Sequence, residues 1–216
     1  MRTLLNLMIL LLFLPSFSWA QTPIEADELI DAWDIPGATK AIASLESRTP
    51  DLAEVVYLRA RLEFFEGKYA TAVQRLDQAI AQTPRADFVQ LRDLVAATHD
   101  VTKNYKKFKS PKGYFEISVE PGKDEVLVPF AFEALDIAYE ELGKELGYLP
   151  PVPVRIEVYP RTSTLAQVSI LTEAEIRTSG TIALCKYNRL MITSPKALAR
   201  GYGWVDTLVH EYVHYV

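Results

Sequence analysis

The hydrophobic pattern of this chain changes character past residue 100, and that change divides what the chain can fold into. Through residues 24–100 small and apolar residues recur at helical spacing, and the segment matches itself. Ile35, Ala38, Ile42, Leu45 and Pro50 fall on Tyr69, Ala72, Leu76, Ala79 and Pro84 at a shift of 34 residues. From Tyr114 the period drops to two, and Tyr114-Phe115-Glu116-Ile117-Ser118-Val119 alternates as a half-buried strand does. Self-similarity at so long a period predicts helix-turn-helix units, each burying one face against the next.

The second copy is the fuller one, with Ala60 where two helices must approach closely and Gly67-Lys68-Tyr69 at the turn. On these residues 24–100 resemble the tetratricopeptide repeat family, with one good unit and half a unit before it. The Trp and Leu-Gly usual in the family's first helix are replaced. So short a stack should not be stable alone. A further amphipathic helix at 86–98 (Ala86, Val89, Leu91, Leu94, Val95) is expected to cap it, and the stack to pack against the C-terminal part of the chain. A generic helical hairpin is the plainer alternative.

Residues 101–112 hold five lysines and end in Ser110-Pro111-Lys112, which reads as a solvated basic linker. Beyond it, 113–216 form a second region. A helix is expected from about Pro129 to Leu146, burying Phe132, Leu135, Tyr139, Leu142 and Leu146, and Pro150, Pro151 and Pro153 prevent its continuation. Val154–Tyr159 alternates as a second strand, and a short helix is expected over Thr162–Ile170. Residues 181–186 and 189–193 flank Tyr187-Asn188 as a hairpin. From Trp204 the period is again helical. Strand, helix, strand, hairpin and helix make an α+β domain with a mixed or antiparallel sheet.

The last helix carries the chemistry. Two of the chain's three histidines, His210 and His214, stand four apart and so share one helix face. That spacing lets two imidazole nitrogens reach one zinc ion at about 2.0–2.1 Å. Glu211, next to the first histidine, can hydrogen-bond a water on the metal without ligating it. Zinc lowers the pKa of such a water toward about 7, and the carboxylate can take its proton as it attacks a carbonyl. His210-Glu211-Tyr212-Val213-His214 thus fits metal-assisted peptide hydrolysis. The uncharged, proline-free flanks Thr207-Leu208-Val209 and Tyr215-Val216 fit a helix set against a core.

With that motif, residues 113–216 resemble the first part of a gluzincin-type, peptidase MA-like metallopeptidase domain. The resemblance implies His210 and His214 as zinc ligands, Glu211 as catalytic base, a peptide or protein substrate, and the 181–193 hairpin bordering the cleft. There an edge strand could hold a peptide by β-augmentation. It also implies a third ligand, a glutamate from a later helix. Only Tyr215-Val216 follow His214, and no polar residue or glycine stops the apolar helix, so the reading frame is expected to be incomplete. The third histidine, His99, belongs to the helical region and is not recruited.

Residues 1–20 read as a secretory signal peptide. Arg2 precedes the apolar run Leu4–Leu14, and Ser18-Trp19-Ala20 places small residues around a cut before Gln21. An exported, periplasmic or secreted protein without a stable membrane anchor is expected after cleavage. Removing the segment leaves 22 basic residues against 28 acidic ones, a balance that argues against nucleic acid or an anionic membrane surface as partner. The lone Cys185 allows no intramolecular disulfide and reads as a small buried apolar residue. The rival function is a non-catalytic exported scaffold that binds a protein partner through its helical repeats.

Overall fold

The computed structural model describes residues 22–216; the expected signal peptide at 1–20 lies outside them. Five helices come first: α1 (Pro23–Asp31), α2 (Ile35–Arg48), α3 (Ala53–Phe65), α4 (Tyr69–Gln82) and α5 (Ala86–Thr102). The segments that match at a shift of 34 residues fall on α2 and α4. They have equal length, and Ala38, Ile42 and Leu45 are buried in one as Ala72, Leu76 and Ala79 are in the other. Ala60 has no exposed surface, as close helix packing requires. The fifth helix turns Phe88, Val95 and Thr98 inward; Val89, expected on that face, is exposed.

The rest is a five-stranded mixed sheet with helices, so the coarse α+β class expected from the sequence is what forms. The strands are β1 (Lys106–Lys109), β2 (Phe115–Val119), β3 (Val154–Tyr159), β4 (Ala183–Lys186) and β5 (Arg189–Thr193), in the order β1-β2-β3-β5-β4. The β2–β3 and β3–β5 pairs are parallel, and the two outer pairs antiparallel. A crossover helix, α6 (Val128–Leu146), joins β2 to β3, with α7 (Thr162–Gln167) and α8 (Glu173–Ser179) between β3 and β4. The chain closes on α9 (Trp204–Tyr215).

The basic stretch expected as a linker is corrected here. Its start continues α5, and Lys106–Lys109 pair with β2 as an edge strand whose three lysines are exposed. Lysines suit an edge, since their charge discourages a foreign strand from adding there. A second correction concerns α6. Phe132, Leu135 and Tyr139 are buried as expected, but Leu146 is 58% exposed, because the helix ends there on a left-handed Gly147.

One sheet face packs Phe115, Ile117, Val119, Val154, Ile156, Val158, Leu190 and Ile192 against α6 and α9. On the other face Tyr159 and Met191 meet Leu165, Val168 and Ile176 from the short helices. At about 25 cal/mol per Å² of apolar surface removed from water, burial on both faces dominates the sheet's stability. No helix among the described residues is long and apolar enough to cross a membrane.

Candidate metal centre on the last helix

Each residue advances an α-helix by about 100°, which assigns the faces of α9. Trp204, Leu208 and Tyr212, four apart, form the buried face. The Tyr212 ring sits edge-on to Phe115 and stacks on Tyr139, which locks the helix against β2 and α6. His210 and His214 stand two residues after core positions, hence on the opposite, exposed face. Val213, inside the motif, shares that exposure, while the flanking Leu208, Val209, Tyr215 and Val216 pack on the core.

The structure brings the two predicted ligands together. Nε2 of His210 lies 3.1 Å from Nε2 of His214, and the rings are nearly perpendicular. Two nitrogens each about 2.0–2.1 Å from a tetrahedral ion would stand roughly 3.3 Å apart. The pair therefore fits two corners of a zinc tetrahedron with a shift of a few tenths of an ångström. Among the described residues no group of three His, Cys, Asp or Glu side chains converges, so the pair has no third protein ligand there. His99 lies on α5 and lines a cleft with Lys68, Thr102 and Glu116, away from the pair.

Glu211 occupies the flank between the buried and exposed faces and is half-buried. Burial pushes its carboxyl above the ordinary carboxylate range, opposed by the charges of His214 and His210 and by a hydrogen bond from the Cys185 backbone. That last contact ties the predicted base to β4. In the β4–β5 ladder the Thr193 N–H donates to the Ile182 carbonyl at 2.8 Å. Ile182 thus bonds inward to β5, and by alternation the N–H and C=O of Ala183 and Cys185 face the open edge. The strand that borders the site is the sheet's outermost one, and its Cys185 N–H is turned toward Glu211.

Cys185 itself is half-buried rather than fully buried, and its thiol is pushed up to about 12, chiefly by burial and then by the Glu211 charge. Residues the sequence did not single out frame this corner. Asn188 in the hairpin turn accepts a hydrogen bond from the Tyr215 hydroxyl at 2.6 Å, and Trp33 from the helical half packs on the Tyr215 ring. The Tyr-Asn pair marks a tight turn, but its link to residues far away in the chain left no local signal. No protein-family model matches the chain, and no characterised protein or solved structure is significantly similar to it.

Proposed function

We propose that the chain carries the zinc-binding helix and general base of a metallopeptidase. The observation that supports this reading best is the 3.1 Å approach of the His210 and His214 Nε2 atoms on an exposed helix face. Beside them stands a half-buried glutamate facing an edge strand. In this reading His210 and His214 hold the metal through Nε2. Zinc at that position would supply Lewis acidity and bring the pKa of a water toward about 7. The Glu211 carboxylate accepts the proton of the attacking water and returns it to the leaving amine nitrogen. Its raised affinity for a proton, set by burial, suits a base that must also act as an acid. The outward N–H and C=O of Ala183 and the C=O of Cys185 offer an extended peptide groups to pair with, which would lay its carbonyl beside Glu211.

Zinc competition against a chromophoric chelator tests the assignment. The wild-type chain is expected to take up about one zinc, with affinity limited by two protein ligands, and His210→Ala or His214→Ala to abolish uptake. Glu211→Gln should keep zinc affinity within about twofold while lowering peptide hydrolysis by about 10²–10⁴, the usual contribution of a general base. Zinc uptake indifferent to both histidines would refute the site. The scaffold reading draws on the lack of a third ligand among the described residues; it predicts no zinc uptake by the wild type.

A further inference from the structure

The two-residue turn between β4 and β5 is where the helical half grips the sheet. Tyr187 and Asn188 both adopt left-handed backbone, with φ of 56° and 55°. The Tyr187 ring packs against Phe64 and Phe65, at centroid distances of 4.9 and 5.9 Å. Arg155 Nη2 donates to the Phe65 carbonyl at 2.5 Å and also faces the carbonyls of Tyr187 and Asn188 at 3.4 and 3.3 Å. The Asn188 amide then faces two ways. Its Nδ2 donates to the Phe65 carbonyl at 3.3 Å, and its Oδ1 accepts from the Tyr215 hydroxyl at 2.6 Å. Tyr215 directly follows His214, and its ring lies 5.3 Å from that of Trp33. The end of α3 therefore holds the turn, the turn holds the last residues of α9, and β4 leaves that turn toward Glu211.

We infer that Asn188 and Tyr215 are positioning residues, through which the helical half sets the spacing between the edge strand β4 and the helix that carries His210, Glu211 and His214. The geometry stands on its own; its catalytic meaning rests on the metal-centre reading above. A cleft lined by Asp31, Trp33 and Arg61 from the helical half and by Cys185, Lys186 and Tyr187 from the hairpin follows this junction. On this account the helical half is a frame for the site.

The single thiol reports the spacing directly, because Cys185 packs from β4 against the core that α9 completes. The test is the rate at which an aromatic disulfide reagent labels Cys185 in the folded protein. Asn188→Gly removes the side chain yet keeps the left-handed backbone at no steric cost. Tyr215→Phe removes only the hydroxyl. Each is expected to speed labelling about tenfold, the size of one net hydrogen bond expressed as an opening equilibrium. The double variant should label no faster than the faster single one, since both changes break the same contact. Asn188→Asp keeps the acceptor for Tyr215 but puts an acceptor where the Phe65 carbonyl meets a donor, so it cuts the link to the helical half and should also speed labelling. Zinc affinity should stay within about twofold throughout, because both imidazoles ride on one helix.

Unchanged labelling in Tyr215→Phe, or rates that multiply in the double variant, would overturn the positioning role. Should Asn188→Gly fail to fold, Tyr215→Phe alone decides. Absence of zinc binding by the wild type would instead overturn the metal centre and leave the labelling result standing.

Discussion

Glu157 is a carboxylate with 4% exposure, and Arg189 beside it is a guanidinium with none. Two buried charges are tolerated only when each is compensated. Tyr69 and Tyr159 donate their hydroxyls to the two Glu157 oxygens, and Arg189 Nε lies 3.0 Å from Oε2, off the hydrogen-bond direction. The guanidinium instead spends its faces on aromatic rings, 4.9 Å from Phe64 and 5.4 Å from Tyr69. Burial pushes the Glu157 carboxyl up, but Arg189, Arg155 and the two hydroxyls outweigh it, and the group sits below its ordinary value of 4.5. A carboxyl lowered by folding contributes stability that is complete above its unfolded pKa and is lost as pH falls through the folded one. Urea midpoints should therefore drop as pH falls below about 4.5, and Glu157→Gln should flatten that acid limb. At pH 7 the same variant should cost about 3 kcal/mol, because it leaves Arg189 buried without a counter-charge. A midpoint unchanged at neutral pH would show that the pair contributes nothing. Neither residue stands out in the sequence: a Glu in one alternating strand and an Arg in another look like solvent-facing positions until a helical layer covers that sheet face.

Among the elements, those with a strong local period were the legible ones. The run Val154–Tyr159 and the helix ending at Leu146 form with the boundaries their patterns predict. The hairpin turns at the expected Tyr187-Asn188. The strand β1 was masked by its lysines, whose burial pattern is that of an edge and not of a core. A local signal for α8 does exist: Thr172 and Glu175 form a capping box at its start. Parallel pairing of β2, β3 and β5 brings together segments far apart in the chain, and no local pattern carries that. The turn between α3 and α4 gives a prediction at this scale. Gly67 has φ of 78°, and a Cβ there would collide with the Arg155 guanidinium. Gly67→Ala should lower stability by about 2 kcal/mol, joining left-handed strain to displacement of Arg155. An effect under about 0.5 kcal/mol, within the range of ordinary surface substitutions, would mean that the α3–α4 turn is looser than described.

For the whole molecule, the helical half and the sheet half share a buried junction, with Tyr69, Phe64 and Phe65 meeting Glu157, Arg189 and Tyr187. The approach of His210 and His214 was legible because residues four apart share one helix face, and the chain has few histidines. Their support was not legible, since Asn188, Arg155 and Trp33 act through contacts that span much of the chain. The proposed division of labour gives the sheet half the metal and the base, and the helical half the frame. Cobalt substitution tests the central claim most directly, because Co²⁺ reports its ligand field in the visible spectrum. A chain in which His210 and His214 bind one ion should develop cobalt absorption saturating at about one equivalent, and lose it in His210→Ala and in His214→Ala. An identical spectrum and affinity in those variants would contradict it.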